Sequence, residues 1–95
     1  MNRYRISKQA RYDLADIRHF IACDKPLAAD RQIAAFFRRF QMLTSNPDLG
    51  EVRSDLAKNL RSFSFGNYVI FYRHMAGGIV IIRVVSRYRD LGTLF

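Results

Sequence analysis

The chain has 95 residues, 49% of them apolar and 14% aromatic, and carries a formal net charge of +8. That length suits one domain over residues 1–95, burying roughly two-thirds of the surface the unfolded chain exposes. A single cysteine, Cys23, excludes an intrachain disulfide framework, and no apolar run is long enough to cross a bilayer. The opening Met1-Asn2-Arg3-Tyr4-Arg5 lacks the apolar stretch of a signal peptide, so a cytoplasmic protein is expected. Sixteen Lys and Arg stand against eight Asp and Glu. Such a field favours polyanions or an acidic protein partner and raises encounter rates, but it is silent on chemistry.

Asn2–Ile6 alternates and predicts a short strand. Ser7 stands where a helix N-cap belongs, its hydroxyl able to accept from the free N–H groups of a first turn. Ala10, Leu14, Ile17 and Ile21 then recur at helical spacing and form one narrow apolar stripe. Tyr12 and His19 lie on the other side, and Asp13 and Asp16, alternating with Arg11 and Arg18, read as a solvated face. Asp24-Lys25-Pro26 ends this helix and opens a second, from about Leu27 to Ser45. Its apolar positions, Ala29, Ile33, Phe36, Phe37, Phe40 and Leu43, span roughly 120° of the circumference, wider than a minimal packing seam. The short connection predicts an antiparallel helix hairpin. Asn46-Pro47 stops the second helix, and Glu51–Asn59 reads as a loop with one helical turn.

Leu60–Phe65 and Tyr68–Arg73 are separated only by Gly66-Asn67, a strong hairpin signal. His74–Gly78 reads as a longer turn. Ile79–Ser86, apolar at nearly every position except Arg83, suits a strand buried on both faces. The predicted order is β-α-α-β-β-β, a helix hairpin laid on a small antiparallel sheet, in the α+β class.

Pro47, Gly50, Arg53, Leu60-Arg61-Ser62-Phe63, Gly66-Asn67-Tyr68, Ile70-Phe71-Tyr72-Arg73, Gly78-Ile79, Ile82-Arg83-Val84 and Arg89-Asp90-Leu91 resemble the RelE/ParE superfamily of bacterial toxins, ParE branch. The resemblance covers nearly the whole chain. It implies the toxin of a type II toxin–antitoxin pair, neutralised by a ParD-like antitoxin in a hetero-oligomer. ParE toxins trap DNA gyrase in a cleaved-DNA state, whereas RelE toxins cut mRNA on the ribosome. Contact with DNA would then be indirect, through antitoxin or gyrase. ParE proteins commonly carry His-Gly-Ala before the final Arg-Asp, where this chain has Ser86-Arg87-Tyr88.

The resemblance also separates the two chemistries. An RNA-cutting relative needs groups that activate a 2′-hydroxyl, protonate a leaving oxygen and hold charge at the phosphate. RelE-type sites resemble a basic cluster with a C-terminal tyrosine. Here that tyrosine position falls on Phe95 and a sheet arginine falls near Val69, while Arg89 is retained. Losing one acid or base typically costs 10²–10⁴-fold. A non-catalytic, binding toxin is therefore expected, with a ribosome-dependent endoribonuclease as the alternative. A basic nucleic-acid-binding module is a third class, disfavoured for want of a groove-reading motif.

After residue 60, Arg61, Arg73, Arg83, Arg87 and Arg89 face one acid, Asp90. Arg61, Arg83, Arg87, Tyr88 and Arg89 are the expected contacts with gyrase. Two readings remain open for Arg61 and Arg83, which could instead pair with Asp55 or Asp90, and for Tyr88, which could close the core. For the antitoxin, Phe20, Ile33, Phe36, Phe37 and Phe40 form the candidate surface. In that reading Ile33, Phe37 and Phe40 seal the core and Phe36 and Phe20 line a groove; the alternative buries both. His74 reads as a solvated turn residue. His19 and Cys23 make two potential metal ligands, too few for a site. No cofactor is expected.

Overall fold

The computed structural model describes residues 3–95. Asn2, the first residue of the predicted N-terminal strand, lies outside them. The elements run β1 (Arg3–Ile6), α1 (Lys8–Ala22), α2 (Pro26–Ser45), β2 (Glu51–Val52), β3 (Arg61–Phe65), β4 (Tyr68–Met75) and β5 (Gly78–Ser86), and a 3₁₀ turn at Leu91–Thr93 closes the chain. The expected α+β arrangement is present: two helices pack on a five-stranded sheet of order β1-β5-β4-β3-β2. The sheet is antiparallel except that β1 runs parallel to β5. A two-residue strand, β2, also forms where the sequence suggested only loop.

Local chemistry accounts for most of these boundaries. Ser7 caps α1 by accepting from the Ala10 N–H at 3.0 Å, and Pro26 occupies the first turn of α2, where its missing N–H costs nothing. Between β3 and β4, Gly66 takes a φ of 59°. A left-handed first turn residue is what lets a two-residue loop follow the strands' own twist. The β4–β5 connection is equally tight, with Met75 opposite Gly78 and Gly77 at a φ of 79°. The longer turn expected from His74 is thus mostly strand. Gly78 has a second reason to lack a side chain: a Cβ there would run into the backbone carbonyl of Arg3 on β1.

The sheet is covered on both faces. On one side Ala10 and Leu14 of α1 and Phe36, Phe40 and Leu43 of α2 pack on Ile70, Tyr72, Ile79, Ile81 and Val84. On the other, Leu60, Val69, Phe71 and Val85 are covered by Leu56 and Ala57 before β3 and by Leu91 and Leu94 of the tail. Alternation along β4 sends Ile70 and Tyr72 one way and Val69 and Phe71 the other. In β5 the phase changes, because Phe71 pairs with Arg83 but Tyr72 with Ile81, leaving Ile82 as the extra residue of a β-bulge. The predicted two-faced burial of β5 is therefore met across a bulge that periodicity alone does not mark.

Candidate functional site

The C-terminal end of β5 is held by α1. Strand β1 stops at Ile6, opposite Ile81, so beyond that point its backbone pairing with β5 gives out. Groups from α1 and its cap take over: the Ser7 N–H donates to the Ile81 carbonyl at 2.9 Å, and the Ser7 hydroxyl donates to the Ile82 carbonyl at 2.8 Å. Asp13 accepts from the Val84 N–H at 3.0 Å and from the Arg83 guanidinium at 2.8 and 3.0 Å. Asp13 is therefore not on a solvated face; its side chain is 7% exposed and that of Arg83 13%. The hydrogen bond to Asp13 raises the Arg83 pKa above its ordinary value, outweighing the effect of burial. Arg83, expected to touch a target, is instead occupied in joining helix to sheet. Ala10, Asp13, Leu14 and Ile17 share one helix face, so Asp13 sits in the buried stripe and needs a partner. Arg83, the one charge in β5, is that partner.

Arg61 is likewise engaged. It reaches across to donate to the Gly50 carbonyl at 2.8 Å and lies 3.4 Å from the Asp48 carboxylate. The same Asp48 oxygen meets His74 Nε2 at 3.2 Å, so His74 is a strand residue oriented by a carboxylate rather than a free turn residue. Beneath them the buried Tyr72 hydroxyl donates to the Pro47 carbonyl at 2.7 Å and accepts from the Gly50 N–H at 2.8 Å. Gly50 permits this approach, since a Cβ would lie 2.5 Å from that hydroxyl. Neither Asp55 nor Asp90 pairs with Arg61 or Arg83: Asp55 binds Arg53, and Asp90 accepts from the Gly92 N–H.

Three of the expected target contacts remain accessible, and they are consecutive. Arg87, Tyr88 and Arg89 are exposed directly after β5, the Arg87 guanidinium 5.6 Å from the centre of the Tyr88 ring. Neither arginine makes an ion pair among the described residues. Tyr88 does not close the core; it is 80% exposed. It lines a groove of about 570 Å³ with Asp16, Ile17 and Phe20 of α1 and Asn67, Tyr68 and Ser86 at the end of the sheet. Phe20, 81% exposed, forms the opposite wall. The structure thus brings together two residues that the sequence assigned to different partners.

The remaining antitoxin candidates divide. Phe36 and Phe40 are fully buried, and Phe36 packs edge-on against Phe65 and Tyr68 at centroid distances of 5.6 and 5.2 Å. Phe36 therefore belongs to the core and lines no groove. The reason is positional, since Phe36, Phe40 and Leu43 form the row of α2 that faces the sheet. Phe37 was expected to seal the core but is partly exposed, while Ile33 is half-buried against it.

Residues 4–91 match the family described as the ParE toxin of type II toxin–antitoxin system, parDE. The chain belongs to the ParE toxin family. A solved structure titled chromosomal ParDE TA system from P. aeruginosa is similar in fold, with a TM-score of 0.75 at 18% identity, covering 90% of this chain and 96% of the other. No curated protein matches the sequence. Membership of a two-component toxin–antitoxin system implies an antitoxin partner for this ParE protein.

The ParE toxin family is not a known enzyme family. At the positions where RelE-type sites place proton-transferring groups, this ParE chain is apolar. Phe95 packs edge-on against Phe71 at 5.0 Å, and Val69 is buried in the tail-side core. Arg89 is exposed near neither. Among the described residues no group of three or more His, Cys, Asp or Glu is placed to hold a metal ion, and His19 Nε2 and Cys23 Sγ stand 3.8 Å apart by themselves. No helix is long and apolar enough to cross a membrane.

Proposed function

We propose that this ParE protein is a cytoplasmic toxin that inhibits DNA gyrase by binding it, without catalysis of its own, and that a ParD-like antitoxin neutralises it. The observation that carries this reading is the Arg87-Tyr88-Arg89 segment: exposed and, among the described residues, free of ion pairs, on a chain of net charge +8. An unpaired basic segment beside an aromatic ring is suited to an enzyme that itself handles nucleic acid, because its charge speeds encounter and its ring adds contact area. Arg61 and Arg83 serve the fold and support this surface from behind. The test is a plasmid supercoiling assay with purified gyrase. Wild-type protein is expected to block supercoiling and accumulate broken plasmid, and replacing Arg87, Tyr88 and Arg89 with Ala is expected to remove both effects at unchanged folding. Full inhibition by the triple variant would refute the assigned surface.

A second reading, ribosome-dependent mRNA cleavage, draws on one feature. His74, oriented by Asp48 beside Arg61, forms the kind of grouping that acid–base chemistry at a phosphate uses. Shortened ribosome-bound mRNA, lost in His74→Ala, would favour it.

A further inference from the structure

Phe20 and Tyr88 are about four-fifths exposed and face the same groove. Exposed aromatic side chains gathered at one place mark an interaction site rather than chance surface composition. The groove is continuous with the interior, because Ile17 and Tyr68, which form part of its lining, also pack against the helix-side core. An apolar side chain entering it would extend the cluster of Phe36, Phe65 and Tyr68 outward. Its volume, about 570 Å³, falls within the roughly 300–1,000 Å³ of sites that enclose small ligands, and so takes two or three side chains rather than a nucleic-acid duplex.

Charge narrows the occupant and orients it. At the Tyr88 end stand Arg87 and Arg89, which make no ion pair among the described residues. At the α1 wall stands Asp16. A segment with apolar side chains in the groove and carboxylates toward the tail satisfies both ends, and the overall charge of +8 attracts it. We propose that this groove receives an acidic, amphipathic segment of the antitoxin, and that by covering Tyr88 and its flanking arginines the segment occupies the surface that engages gyrase. Neutralisation is then direct competition for one site. The inference rests on the ParE reading above and adds to it the location of control.

The test uses the full chain, the antitoxin encoded beside it, and gyrase. Phe20→Glu and Tyr88→Glu are each expected to weaken antitoxin binding at least tenfold and to reduce gyrase inhibition, with unfolding temperatures unchanged. Leu27→Glu, at a site 70% exposed but outside the groove, is expected to change neither. Added antitoxin is expected to release the toxin from gyrase. A stable ternary complex of the three proteins would overturn the proposal, as would wild-type antitoxin affinity in Phe20→Glu. So would a homodimer of the chain that the same substitutions dissociate, since a second copy would then fill the groove. Wild-type protein that binds no antitoxin and leaves gyrase untouched would instead bring down the ParE reading itself, and this proposal with it.

Discussion

Asp13 shows how much one side chain can settle. Its two oxygens satisfy the Arg83 guanidinium and the Val84 N–H together, at the point where β5 needs partners from outside the sheet. Removing one member of a buried pair leaves the other charge without compensation, at a cost of about 3–5 kcal/mol. Asp13→Ala is therefore expected to lose about that much in urea unfolding, and a loss under 1 kcal/mol would show that the join is not structural. Tyr72 makes a comparable, neutral join. Tyr72→Phe strands the Gly50 N–H and the Pro47 carbonyl and is expected to cost about 1–3 kcal/mol. It also has a pH signature. Burial raises the Tyr72 pKa, so the folded state favours the protonated ring more than the unfolded state does. That contribution is complete below the unfolded value of about 10 and is lost as pH rises through the higher folded value. Wild-type stability should accordingly fall more steeply above pH about 10 than that of Tyr72→Phe, as measured by unfolding midpoints across the alkaline range.

At the scale of elements, the junction of β1, α1 and β5 is where local and long-range information part. Ser7 is legible as an N-cap because its partner, the Ala10 N–H, is three residues away. Its second bond, to Ile82, spans 75 residues and leaves no trace in spacing. Ser7→Ala is expected to cost about 1–2 kcal/mol, at the upper end for a cap, because both bonds go. Thermal unfolding measures this, and a cost of a few tenths would mean that water replaces the hydroxyl at Ile82. Gly78→Ala is expected to push β1 away from β5 without abolishing the β4–β5 hairpin, seen as faster amide exchange confined to residues 3–6 and their partners. The hairpins themselves were readable because Gly66 and Gly77 act on adjacent residues. The parallel placement of β1, the bulge at Ile82 and the Asp13–Arg83 pair were not, because each depends on residues far apart in the chain that meet only in the fold.

For the whole molecule, composition indicated the kind of partner, whereas only the fold indicated where that partner would sit. A net charge of +8 is visible in the sequence, but which arginines are free is not. Arg61 and Arg83 look equivalent to Arg87 and Arg89 until Asp48, Gly50 and Asp13 are seen to engage them. Phe20 and Tyr88 likewise belong to distant segments, and their common groove follows from packing α1 over the end of the sheet. Binding through exposed arginines should weaken with salt, since interactions between exposed charges are screened over about 8–10 Å near physiological ionic strength. Gyrase inhibition is therefore expected to decline between 50 and 300 mM salt, and the decline should be shallower in Arg87→Ala. The most direct measurement is of DNA covalently trapped on gyrase when purified toxin, gyrase and plasmid are combined, run beside translating ribosomes given the same toxin. The account predicts trapped, broken plasmid that disappears when antitoxin is added, with mRNA left whole. Intact plasmid together with cut mRNA would contradict it.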